Sequence, residues 1–230
     1  MKLFKASIAV ALCASLFVSS CNMSNTGKGS LIGGGGGGAL GAGIGALIGG
    51  GKGAAIGAGV GAAVGAGAGA LIGNKMDKQQ KKLQEELANA KVEQTTDKNG
   101  LQAIRVTFDG GILFPTGKWT INQGAQAELK QFAQSLQQNP LTDVSILGYT
   151  DNTGSMSANE KVSTNRADAV KTFLYNNGVA NSRMEAKGLP MQDYVASNET
   201  AAGRAQNRRV EIYIYASPEM IKQAEDGTLK

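Results

Sequence analysis

GYTDNTGSMSANEKVSTNRADAV, residues 148–170, decides how the C-terminal half of this 230-residue chain is read. It follows Val144-Ser145-Ile146-Leu147, a run with the length and apolarity of a buried strand. A polar, glycine-containing turn interrupts the run. Beyond it Val162, Ala169, Val170 and Phe173 recur at helical spacing, which predicts a helix from about Asn159 to Asn177, stopped by Gly178. Arg166 sits inside that apolar stripe, four residues from Val162 and from Val170. A guanidinium facing a core needs a fixed anionic partner. Asp151, at the end of the preceding strand, supplies one. Such a pair can close into a structural ion pair. It can also stay open to hold a zwitterion, the aspartate accepting from an ammonium and the arginine gripping a carboxylate in a fork.

Working outward, VEQTTD at 92–97 and LQAIRVTF at 101–108 flank Asn99-Gly100, a type I′ hairpin signal. GGILFPTGKW at 110–119 leads to a helix expected over about Asn122 to Gln138, ended by Pro140. A short strand is expected from Met184 to Lys187. A last one, VEIYIYA at 210–216, shows Val210, Ile212 and Ile214 on one face. The expected class is α+β, a βαβαββ sandwich with helices on one face of a mixed sheet.

The pattern resembles the OmpA-like C-terminal peptidoglycan-binding domain. The residues that carry the resemblance are Thr150-Asp151, Gly154, Asn159, Ser163, Arg166-Ala167, Gly178-Val179, Arg183, Gly188, Asn198, Thr200, Gly203-Arg204 and Asn207-Arg208-Arg209-Val210. It covers about residues 100–216. It implies that Asp151 and Arg166 hold the zwitterionic centre of diaminopimelate in a wall stem peptide. Thr150, Asn159 and Phe114 would line the crevice. Asn207 and Arg209 would contribute or brace the fold. Pro115-Thr116 follow Phe114 where many relatives carry an aspartate or another polar pair.

The N-terminal half is different in kind. Two lysines, an apolar run from Ala6 to Val18 and then small residues have the build of a secretory signal. Val18-Ser19-Ser20-Cys21 resembles a bacterial lipobox, which implies a lipoprotein signal peptide over 1–20 with Cys21 as the lipidated first residue; an ordinary signal peptide or a membrane anchor is the other reading. A Cys13–Cys21 disulfide is the rival, and it requires an uncleaved leader. By resemblance to bacterial lipoprotein sorting, the absence of an aspartate at Asn22 after the cysteine implies the outer membrane, with the C-terminal domain in the periplasm. After a linker at 21–30, 20 of the 33 glycines lie between Gly33 and Gly73, one at every fourth position without a miss. On a helix this makes a groove flanked by branched side chains, the small-xxx-small packing of membrane helices. Lys52 divides residues 31–73 into two uncharged arms of a glycine-zipper hairpin associated with the membrane. A glycine-rich linker or a silk-like strand segment are the other readings. Residues 74–92 turn polar and predict a helical connector, either a stalk with a short coiled-coil seam or a plain solvated helix. The domain proper is placed at 93–216 and a polar tail at 217–230. The layout as a whole resembles the YiaD-like outer-membrane lipoproteins.

Composition narrows the functions. The chain has no histidine, so the commonest general base and zinc ligand are absent, and no metal or cofactor is expected. The net charge of +5 falls to +3 once Lys2 and Lys5 leave with the leader, which gives no argument for nucleic acid. A wall hydrolase needs two carboxylates, and Asp151 has no evident carboxylate partner. The expected function is non-covalent tethering of the outer membrane to peptidoglycan. The alternative is a membrane-active homo-oligomer, a pore or stator-like ring, built by the glycine zipper and held to the wall by the C-terminal domain.

Overall fold

A computed structural model describes residues 64–97, 99–115 and 117–230. The signal peptide, Cys21, the linker at 21–30 and the glycine arms up to residue 63 lie outside the described residues. Five strands form one mixed sheet: β1 (Ala90–Thr96), β2 (Gln102–Asp109), β3 (Thr142–Tyr149), β4 (Met184–Leu189) and β5 (Arg209–Ala216). Their order is β1-β2-β5-β3-β4. Only β3 and β4 pair in parallel. The last strand therefore lies at the centre, with Ile212 between Val106 and Ile146. The fold is α+β as expected. Beside the expected elements there are two short helices, one after β2 and one between β4 and β5.

The helices are α1 (Ala66–Glu86), α2 (Gly110–Leu113), α3 (Gln123–Gln138), α4 (Met156–Asn176), α5 (Ala201–Asn207) and α6 (Pro218–Glu225). Side chains of α1, α3, α4 and α6 share one core with Val106, Phe108, Val144, Ile146, Val210, Ile212 and Ile214 of the sheet. Phe108 meets Phe132 of α3 edge-on, centroids 6.2 Å apart.

Three expectations change. The β1–β2 hairpin forms, but Asn99 is not left-handed and the turn is not type I′. The Gly100 amide reaches the Asp97 carbonyl, the Asp97 amide reaches the Leu101 carbonyl, and Gly100 takes φ 73°. This is the three-residue turn with a glycine bulge. The Asp97 carboxylate secures it by accepting from the amides of Asn99 and Leu101. Second, the connector is not a stalk. Its helix starts at Ala66, inside the glycine block, stops at Glu86, and gives way to β1 at Ala90 rather than at 93. Ala68, Ile72, Met76, Gln79, Leu83 and Leu87 are buried along one stripe. Ile72, Met76 and Leu83 are fully buried, worth about 1.5–3 kcal/mol each. The Gln102 amide donates to Asp77 at 2.6 Å and ties α1 to β2. Among the described residues no helix is long and apolar enough to cross a membrane. Third, the tail forms a short helix but is not the polar appendage expected. Ser217 caps α6, and Met220, Ala224 and Leu229 are buried in the main core, to which α1 contributes.

Helix α4 sits unusually close to the sheet. Gly148 and Gly188 are paired across β3 and β4. A Cβ at Gly148 would stand 2.3 Å from the Ser163 carbonyl oxygen, and one at Gly188 would stand 2.4 Å from Thr164 Oγ1. The two glycines let the helix backbone rest on the strands, and so fix its start beside the end of β3.

Candidate ligand-binding site

Antiparallel pairing of β3 with β5 sets Gly148 opposite Val210. The residues just after β3 and just before β5 therefore meet. The pairing of Asp109 with Arg209 adds the end of β2 to the same rim. Ligands of open α/β sheets bind at such places, outside the carboxyl ends of strands. Four stretches converge there: 150–155, the start of α4, residues 114–115 and 117–122 after α2, and Arg208.

The helix that carries Arg166 begins at Met156 rather than at Asn159, with Ser155 as its cap. Its buried stripe is Asn159, Ser163, Arg166, Ala167, Val170 and Leu174. Val162, Ala169 and Phe173, expected inside, are only half-buried. Asn159 and Ser163 take their place because this face passes over the rim and over the two glycines, where long apolar side chains have no room. Asn159 donates to the carbonyls of Thr153 at 2.8 Å and Ser155 at 3.0 Å, and so shapes the turn that presents Asp151. Thr150 Oγ1 accepts from the Met191 amide at 3.0 Å.

Asp151 and Arg166 are both buried, and no hydrogen bond or ion pair joins them. Asp151 Oδ1 accepts from the Thr153 amide at 2.9 Å. Its Oδ2 accepts from Arg208 Nη1 at 2.6 Å. Burial works to raise its pKa, but the hydrogen bonds and charge of Arg208 and the Thr153 amide outweigh it, and the group stays below the usual aspartate value. Arg166 lies with its guanidinium 5.2 Å from the centroid of the Phe114 ring. Its Nε donates to the Lys118 carbonyl at 3.1 Å. Its two terminal nitrogens make no hydrogen bond among the described residues. Burial and the charge of Arg208 pull its pKa down, and Asp151 pulls it up. Asn152, Thr153, Gly154, Lys118 and Trp119 on the rim are exposed.

Asn207 and Arg209, the remaining candidates, are committed elsewhere. Asn207 accepts from the amides of Val195 and Ala196 and donates to Ala196 and Asn198. Arg209 pairs with Glu211 at 2.7 Å, donates to the Asp193 carbonyl, and stacks 3.9 Å from the Tyr149 ring centroid. These contacts pin the loop 190–200. Such contacts are what bracing, the second of the two roles the resemblance allowed, requires. Arg208 is the residue that sequence reasoning missed. Strand alternation was the available signal. Even-numbered residues of β5 face the helices, and Arg208 shares their parity, whereas Arg209 goes with Glu211 and Tyr213 on the opposite face.

The OmpA family model matches residues 113–208. A second model, the YMGG-like Gly-zipper, matches residues 1–81. The Escherichia coli protein named "Probable lipoprotein YiaD" is 37% identical over 140 residues, 61% of this chain and 63% of that protein. The Mycobacterium bovis "Peptidoglycan-binding protein ArfA" is 38% identical over 49% of this chain and 34% of its own length. The chain thus spans under two thirds of these relatives. Among solved structures, the cell wall anchor of the T6SS from Pseudomonas aeruginosa superposes with a TM-score of 0.51 at 26% identity, covering 62% of this chain and 97% of that one. With the converging rim and the sheet order, residues 113–208 are thus similar to the OmpA family, behind a segment similar to the YMGG-like Gly-zipper.

Proposed function

We propose that this chain binds peptidoglycan without breaking a bond, through the crevice between Asp151 and Arg166. The ligand is the zwitterionic centre of diaminopimelate in the stem peptide. Asp151 accepts from its ammonium and Arg166 holds its carboxylate. Phe114 supports the guanidinium from one side, Lys118 fixes its Nε, and Asn159 and Thr150 hold the surrounding loops. One observation carries this reading: Arg166 is buried, yet among the described residues its two terminal nitrogens have no protein partner. Those nitrogens are not among the atoms sealed from solvent without a partner, so a carboxylate from outside can reach them and complete a forked pair. The matched family and the names of the wall-binding relatives point the same way. Lipidation at Cys21 and the glycine block would hold the other end at the outer membrane, with the domain in the periplasm. Binding of this kind is weak per site and gains from confinement near the wall.

Co-sedimentation of the full-length protein with insoluble peptidoglycan tests the site. Asp151→Ala and Arg166→Ala should each abolish pelleting while melting stays near that of the parent. Undiminished pelleting by both variants refutes the assignment.

A further inference from the structure

Asp151 is occupied by Arg208. The Arg208 side chain is 41% exposed, while that of Asp151 is 8% exposed. A half-solvated cation thus sits on the carboxylate where an incoming ammonium has to bind. The Arg208 backbone is held independently. Its carbonyl accepts from the Gly110 amide at 2.8 Å and its amide donates to the Arg204 carbonyl at 3.1 Å. The side chain can leave while the main chain stays.

Charge counting shows what its departure changes. Apart from the exposed Lys118 ammonium and from Asp109, which accepts from the Gly111 amide, the rim carries one carboxylate, Asp151, and two guanidiniums, Arg166 and Arg208. With Arg208 closed on Asp151, Arg166 alone is unmatched, and the crevice is a receptor for a bare carboxylate. With Arg208 withdrawn, Asp151 and Arg166 form an acid and a base set apart, complementary to a zwitterion. We propose that Arg208 is a displaceable counter-ion that closes Asp151 and yields it to the ammonium of an α-amino acid ligand. It thereby sets the preference between zwitterionic and carboxylate-only ligands. The proposal rests on the crevice being the ligand site. Exchanging a guanidinium for an ammonium never leaves Asp151 unpartnered, so opening avoids the cost of an isolated buried carboxylate. Arg208 meanwhile regains water.

The test uses the full-length protein and two probes with one carbon skeleton, meso-diaminopimelate and pimelate, which lacks the amino groups. Binding is followed by NMR chemical shifts. Arg208→Gln should tighten diaminopimelate about three- to tenfold, the range that an ion pair with one exposed partner withholds. It should weaken pimelate, because Asp151 then faces the probe without its counter-ion. Opposite shifts for the two probes are not produced by damage to the fold, which weakens both. Arg208→Lys keeps the cation and should move the ratio back toward that of the parent. Weaker diaminopimelate binding by Arg208→Gln, or equal changes for both probes, overturns the displacement and leaves the crevice standing. Arg166→Ala should lose both probes. Full retention of both by that variant overturns the site itself.

Discussion

Two arginines on opposite faces of the sheet are hidden to the same degree, each 4% exposed. Arg209 is complete. It has a carboxylate at 2.7 Å, a carbonyl and an aromatic ring, and Glu211 is itself completed by the Tyr213 hydroxyl at 2.7 Å. Arg166 is incomplete, with one carbonyl, one ring and no carboxylate of its own. Burial of a charge therefore does not by itself mark a site. What separates the proposed binding side of this domain from the other side is whether the protein satisfies the charge internally.

Arg209→Ala offers the largest effect by which to break that contrast. It strands Glu211 under the sheet and should destabilise the fold by about 3–5 kcal/mol, read from urea unfolding. Wall binding should fall only as far as the folded fraction falls. Arg166→Met removes a charge with no protein counter-ion and keeps apolar bulk over Phe114. Its unfolding free energy should stay within about 1 kcal/mol of the parent, while pelleting with peptidoglycan is lost. A stability loss as large as that of Arg209→Ala would erase the distinction between the two faces. The smallest effect is in acid. The folded pKa of Asp151 is depressed, so its contribution is present above the unfolded carboxylate value of about 3.9 and lost as pH falls through the lower folded value. Asp151→Asn should flatten the acid limb of stability below about pH 4. The effect should be under about 1 kcal/mol, because Arg208 is half in solvent. An unchanged acid limb would mean that the pair with Arg208 is not kept in solution.

Much of the fold was legible because the sheet obeys simple alternation. Ile104, Val106 and Phe108 and then Val210, Ile212 and Ile214 all lie in the shared core. The hairpin was legible too, though not its turn type, since Asn99-Gly100 serves a bulged turn as readily as a two-residue one. The docking of α1 was missed because lysines and glutamines dominate its composition. Yet Ala68 and Ile72, the apolar residues preceding the last zipper glycines, continue in steps of four to Met76, and all three are buried. The periodic ridge did not end where the glycines did. Asp151 and Arg166 stood out because an arginine in an apolar stripe is physically anomalous. Arg208 did not, because three consecutive polar residues look alike until the pleat decides which way each one points.

The seating of α1 against the domain also governs reach. No polar spacer separates the last zipper glycines from packed structure, so a pull on the N-terminal end meets side-chain packing before it meets slack. The 21 residues of α1 occupy about 32 Å as helix and could stretch to about 70 Å if peeled away. The chain thus holds in reserve roughly 40 Å of extension, released only when a threshold tension strips Ile72, Met76 and Leu83 from their seats.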